Sequence, residues 1–284
     1  MRDRKVIYGS LQTWEADFQL TAFGTVLHFR RIPDVLVHKC LLPGWQLDRP
    51  DRDPHAVLVW DAPVDKIGSL RLVADEKTAT NSLVTWETLP RALDQCLHLA
   101  VAEFSPKAVF LHAGVAVWDG AAILIPGRSH AGKSTLTRSL IEAGAVYYSD
   151  EFAPVLPNGF VIPYPKPLSL RPSCGVDVGG TREQPVQIDP VGLGWRLDLP
   201  PVPVGIVAAV TYRPGSPCGW PKTISKAEAT ALLLDNTIPM LKAPSRSLGA
   251  ASKVTRQALC LAGARSEASR FARELLQTLS IGHA

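Results

Sequence analysis

Apolar and polar positions are patterned differently in the two parts of the chain. Up to about residue 88 the apolar residues come in short runs broken by turn residues, which is the pattern of strands. Residues 20–29 and 70–74 have β-branched and aromatic character, and Ala56-Val-Leu-Val-Trp60 is an apolar strand. The stretch Asp48-Arg-Pro-Asp-Arg-Asp-Pro54 in front of it is turn chemistry and does not suit a strand interior. Helical spacing first appears at Leu93, Cys96, Leu97, Ala100, Val101 and Phe104, predicting a helix over Leu89–Phe104. His98 on that helix reads as a surface or satisfied histidine, and Trp14, Trp45, Trp60 and Trp86 read as packing residues.

Beyond residue 105 the periods of two and of 3.6 alternate. Residues 108–112 and 114–118 are apolar, and Asp119-Gly120 after them is a hairpin signal. A buried strand over 121–125 stops at Pro126-Gly127, and a helix resumes at Lys133 with Leu136, Leu140 and Ile141 on one side and Gly144 closing it. A strand over 145–148 ends in Ser149-Asp150-Glu151. Six prolines between Pro154 and Pro172 permit only short edge strands and turns. Residues 175–203, with Gly175, Gly179 and Gly180, read as a mobile loop near the site. Residues 203–212 form another buried strand, Ser225 caps a helix running to Leu234, and 252–261 and 267–279 read as closing amphipathic helices. These elements predict an α/β fold. A β-rich N-terminal region over 1–105, suited to substrate recognition or subunit contact, precedes a P-loop nucleotide-binding domain over 106–284.

Composition narrows the picture by exclusion. The 284 residues suit one large domain or two small ones, and 46% hydrophobic with 20% charged residues is a globular composition. A net charge of +4, with Lys and Arg spread along the chain, argues against a nucleic-acid partner. The five cysteines are scattered without metal-ligand spacing, as expected of free thiols in a reducing compartment. No leader pattern opens the chain and no apolar run approaches a membrane span, so a cytoplasmic protein without a membrane partner is expected.

The chemistry concentrates where the strand over 121–125 gives way to a helix. Gly127-x4-Gly132-Lys133-Ser134 is a phosphate-binding loop. Its glycines let backbone N–H groups turn inward around an anion, and the helix N-terminus behind adds a positive field. The predicted cradle is Gly127, Arg128, Ser129, His130, Ala131, Gly132, Lys133, Ser134 and Thr135. Lys133 reaches for the β- and γ-phosphates of a nucleotide, and the Ser134 hydroxyl is placed to ligate Mg²⁺. Asp150 and Glu151 suit two roles, one holding Mg²⁺ and the other taking a proton from an attacking hydroxyl; a helix cap or surface pair is the competing account. His112 sits at a strand end in the ribbon that delivers Gly127, where structural and functional roles both stand open. Lys166 and Arg171 could contact phosphate or an acidic substrate but read first as surface charges, and Arg213, at the end of the strand over 203–212, stands where a phosphate-stabilising arginine could sit.

Leu111-His112-Ala-Gly, the phosphate loop and Ser149-Asp150-Glu151 together resemble the catalytic domain of bacterial HPr kinase/phosphorylase. The resemblance is closer still to the HPr kinase-related proteins, some of which modify peptides in lasso-peptide gene clusters. It covers residues 108–155 well, and Tyr164-Pro-Lys-Pro-Leu-Ser-Leu-Arg171 also resembles a segment of the related proteins. The resemblance implies a P-loop kinase fold of the HPr kinase/phosphoenolpyruvate carboxykinase type. ATP with Mg²⁺ would be the donor system, the serine hydroxyl of a protein or peptide the acceptor, and a homo-oligomer the working form. Carried over, Lys133 binds phosphate, Ser134 and Asp150 the metal, Asp150 and Glu151 activate the hydroxyl, and His112 supports them. Glu151 stands where the family has Asp. The family's downstream Glu-containing motif, whose aligned position falls near Val176, is not recognisable, so neither the phosphorylase reaction nor HPr itself is carried over. A small-molecule kinase on the same loop and a nucleotide-binding regulator without transferase activity are the rival readings.

Overall fold

The computed structural model describes residues 18–64, 66–74, 77–127, 131–170, 185–213 and 221–282. The chain falls into two compact units that part between Lys107 and Ala108. Among the described residues no helix is long and apolar enough to cross a membrane.

The first unit contains strands β1 (Phe18–Ala22), β2 (Thr25–Arg30), β3 (Leu47–Asp48), β4 (Ala56–Val64), β5 (Ile67–Ala74) and β6 (Lys77–Thr85), with helices α1 (Asp34–His38) and α2 (Leu89–Phe104). They form one sheet in the order β3-β1-β2-β4-β5-β6, antiparallel except where β2 meets β4. The apolar run over 20–29 is thus two strands, because the chain turns at Phe23 and Gly24, both with positive φ. β5 alternates buried and open positions, the signature of a sheet covered on one face. Leu93, Leu97, Ala100 and Val101 of α2 are wholly buried, and the Thr25 hydroxyl donates to the Val101 carbonyl at 3.1 Å. His98 is buried and satisfied by Asp94 at 3.2 Å. Trp60 is buried in the sheet and Trp45 packs against the His98 ring, while Trp14 lies outside the described residues.

The second unit begins with β7 (Val109–Trp118) and β8 (Ala121–Pro126), joined by the Asp119-Gly120 turn that pairs Trp118 with Ala121. Helix α3 (Lys133–Glu142) follows, then β9 (Val146–Ser149), β10 (Phe152–Val155), β11 (Leu168–Leu170), β12 (Val186–Ile188) and β13 (Val204–Tyr212). The unit closes with β14 (Lys222–Thr223), α4 (Lys226–Leu234), α5 (Pro244–Gln257), β15 (Leu259–Arg265) and α6 (Ala268–Gly282). Its main sheet runs β10-β7-β8-β13-β15-β14, with β9 beside β10 along the same edge of β7. β8, β13 and β15 are mutually parallel.

Both faces of this sheet are covered, which is why β8 is buried at every position. Ala122 and Leu124 face α4 and α5, where Ala229, Leu233, Ala250, Ala251 and Val254 close one core. Ile123 and Ile125 face α3 and α6, where Leu136, Leu140, Phe271, Leu275 and Leu279 close the other. One sequence expectation fails here. The reading of 252–261 as a helix is corrected: α5 starts at Pro244, which fits the first helical turn, and Leu259 begins a strand. The apolar run Leu259 to Leu261 serves a buried strand as well as a helix, and pairing with β13 decides it.

Gly114 permits the approach of α3 to β7. A Cβ there would lie 2.5 Å from Thr137 Oγ1 and 3.9 Å from Asp150 Oδ1. Thr137 is wholly buried, so its side chain has no room to give way. Gly114→Ala is therefore expected to cost about 1–3 kcal/mol by overpacking, read from the urea midpoint of the full chain. An unchanged midpoint would show that α3 is not held this closely.

Candidate phosphate-binding site

The site lies where β8 ends and α3 begins. Gly132 is the N-cap of α3 and takes a left-handed conformation (φ +85°, ψ +21°) that a β-carbon would strain. The chain therefore turns sharply enough to aim the first helical N–H groups toward the loop. Gly127, Ala131, Gly132, Lys133, Ser134 and Thr135 of the predicted cradle are described; Arg128, Ser129 and His130 lie outside the described residues.

Lys133 is buried and folds back along the loop, its ammonium donating to the Gly127 carbonyl at 2.6 Å. The same Nζ stands 3.4 Å from His112 Nε2. Residues two apart on a strand share a face, so His112, Gly114 and Ala116 of β7 all point to the α3 side. That parity brings the imidazole to the lysine. Burial, and then the Lys133 charge, pull the His112 pKa below its ordinary value, against the Glu151 charge and a hydrogen bond with the Glu151 backbone. His112 is therefore neutral at pH 7, and the tautomer protonated on Nδ1 is the one in which Nε2 accepts from Lys133.

The two acidic residues sit in the break between β9 and β10, where pairing with β7 passes from Ser149 opposite Val115 to Phe152 opposite His112. Adjacent in sequence, they face different surroundings. Asp150 is 7% exposed and accepts from the Ser134 hydroxyl at 2.8 Å through Oδ2. Its Oδ1 and the nearby Thr137 Oγ1 are buried without a hydrogen-bond partner among the described residues. Burial raises the Asp150 pKa to about 6, against the pull of Ser134, the Ser169 backbone and the Lys133 charge. The Glu151 side chain is 42% exposed and pairs with Lys166 at 2.8 Å.

Lys166 is a cation that the sequence reading assigned to the surface. Its side chain is 14% exposed, paired with Glu151 and lying 5.5 Å from the Phe152 ring centroid. The Tyr147 hydroxyl donates to the Lys166 carbonyl at 2.6 Å and holds that segment in place. Arg265 was missed altogether. It ends β15, is 3% exposed, and donates through Nη2 to the Gly132 carbonyl at 2.9 Å and through Nη1 to its neighbour Ser266 at 3.0 Å. The signal for it is the apolar run of β15 ending in a lone arginine, hidden while that run reads as helix. Arg213 is exposed beyond the end of β13, and Arg171 lies outside the described residues, as do Gly175, Gly179 and Gly180.

The donor set fits a magnesium ion. A serine hydroxyl and one carboxylate, with a second carboxylate oxygen left without a protein partner, leave further positions to phosphate and water as this cation prefers. Groups of three or more His, Cys, Asp or Glu able to hold a metal are absent among the described residues.

The Asp150 environment sets a pH dependence. The folded chain keeps this proton up to about pH 6, whereas the unfolded chain releases it near the ordinary carboxyl value. Stability therefore falls as pH rises from about 4 to about 6, by on the order of 2–3 kcal/mol from this group. Asp150→Asn should abolish that component, so with a chelator present its melting temperature should gain on the wild type between these limits. Parallel curves for the two proteins would contradict the burial of a carboxylate here. No family model, curated protein or solved structure matches the chain, so its own geometry must carry any functional reading.

Proposed function

We propose that this chain is an ATP-dependent kinase that transfers the γ-phosphoryl group to a serine hydroxyl of a protein or peptide. The observation that carries the reading is the 2.8 Å hydrogen bond from Ser134 to buried Asp150, directly behind the loop that bears Lys133. It brings together residues from α3 and from the β9–β10 break, the pairing a metal–triphosphate site requires. The two-sided sheet with a phosphate loop after β8 is in keeping with a P-loop kinase fold of the HPr kinase/phosphoenolpyruvate carboxykinase type. The motif resemblance that supports this reading also suggests a homo-oligomer, with the cytoplasm as its expected compartment.

In this mechanism Lys133 and the loop amides bind the β- and γ-phosphates and stabilise the charge that spreads over the transferred group. Ser134 and Asp150 would hold Mg²⁺, which would supply further neutralisation of the triphosphate's negative charge. Glu151, the more open carboxylate, takes the proton of the attacking serine hydroxyl. A bond forms between the serine oxygen and the γ-phosphorus, the bond from that phosphorus to the bridging oxygen breaks, and ADP leaves with the electron pair. Lys166 orients Glu151 and tempers its charge. Neutral His112 links Lys133 to the Glu151 backbone and keeps both in register. The extra methylene of Glu151 relative to Asp lengthens its reach, and Lys166 supplies an anchor at that reach.

The test incubates the protein with Mg²⁺, γ-labelled ATP and a lysate separated into macromolecules and metabolites. Label should appear in a protein or peptide, and Lys133→Ala should abolish it by removing a charge worth roughly 10²–10³ in rate or more. Glu151→Gln should lower transfer about 10²–10⁴-fold while leaving ATP affinity near that of the wild type. Near-wild-type turnover in the Lys133 variant would sink the reading. Label confined to metabolites would make this a small-molecule kinase, and tight ATP binding with no product would make it a regulator.

A further inference from the structure

The phosphate loop accounts for one end of a nucleotide only. The strands point to where the other end goes. β8, β13 and β15 are parallel, and their carboxyl ends bring Pro126, Tyr212 and Arg265 to one edge of the sheet, with Tyr212 directly opposite Arg265 in register. The helix after β8 packs on one face with α6, whereas α4 and α5, which follow β13, pack on the other. The chain thus changes face between β8 and β13. Ligands of open α/β sheets lie outside the carboxyl ends of the strands at such a switch. Asp150 and Glu151 occupy the opposite flank of β8, on the far side of β7. A triphosphate seated on the loop therefore has its reacting end toward β7 and its remainder toward β13.

Two contacts tie the end of β13 to the loop, and the space around Gly132 shows how closely the two approach. The Tyr212 amide donates to the Ala131 carbonyl at 3.2 Å. Tyr212 Cβ lies 3.3 Å from the position a Cβ on Gly132 would take. The Arg265 guanidinium, fixed to the Gly132 carbonyl, stands over the Tyr212 ring at 5.4 Å from its centroid. Arg265 is buried, while Tyr212 is 43% exposed. Among the described residues the guanidinium donates only to the backbone carbonyls of Gly132 and Ser266, and its Nε is buried without a partner. A cation committed to one side of the ring and to the loop leaves an aromatic surface held rigidly beside the phosphate cradle.

We propose that Tyr212, backed by Arg265, is the stacking platform for the base of the nucleotide whose phosphates the loop holds. The proposal rests on the nucleotide reading above and extends it from phosphate to base. The two side chains reach the site from different strands yet meet within one carbonyl of the P-loop. Stacking accepts any planar base, so the platform fixes position without selecting ATP over other purine nucleotides.

Calorimetric titration with ATP and with inorganic tripolyphosphate separates the two ends. For Tyr212→Ala the ATP affinity should fall about tenfold or more, as loss of base stacking does, while tripolyphosphate affinity stays within about twofold. Tyr212→Phe should keep wild-type affinity for both, because the ring and not the hydroxyl does the stacking. Equal losses for ATP and tripolyphosphate in the alanine variant would mean that Tyr212 only props the loop, and would overturn the platform. No loss for either would place the base elsewhere and overturn it too. A wild-type chain that binds neither ligand would bring down the phosphate-site reading itself, a result distinct from both.

Discussion

A carboxylate buried beneath a helix N-terminus is the constraint on which the second unit depends. Asp150 is placed where water cannot reach it well, and burial alone would drive it to hold its proton. Its compensation comes from the first turn of α3, through the Ser134 hydroxyl and the positive end of the helix. That turn exists only because Gly132 takes a left-handed conformation and because Gly114 leaves room for Thr137. The loop, the close helix packing and the acidic break between β9 and β10 therefore stand or fall together. Where so much converges on one carboxylate, its burial is costly, and the raised pKa of Asp150 is the sign of that cost.

Environment separates two neighbouring acids into different chemical tools. Asp150 turns inward to a hydroxyl and Glu151 turns outward to a lysine, although a single peptide bond divides them. Interrupted pairing along β7 makes this possible, because two residues freed from the ladder no longer obey strict alternation. His112 ties the arrangement together from the facing strand, where parity places it on the α3 side with Gly114.

Legibility varied with the range of the interaction behind each feature. The Asp119-Gly120 hairpin, the α2 helix and the Ser225 cap rest on neighbours in sequence, and each lies where its residues indicate. The strand β15 could not be read in this way. Leu259, Cys260 and Leu261 fit either period, and only β13 alongside makes them a strand. With that strand misread, Arg265 lost its position at the sheet edge. Lys166 looked like one more surface charge amid prolines until the fold set it against Glu151.

By itself the sequence determined the glycine-bearing loop, the strand and helix on either side of it, the α/β class and the candidate residues His112, Lys133, Ser134, Asp150 and Glu151. Local backbone preference and hydrophobic period suffice for these, since both act over a few residues. The tertiary structure decided which of them meet. Sheet order brought β13 and β15 to one flank of the loop and the acidic pair to the other, and burial made Asp150 unlike Glu151. Distances of a few ångströms between residues as far apart in the chain as Gly132 and Arg265 come from strand pairing and two-sided packing, and no local pattern in the chain encodes them.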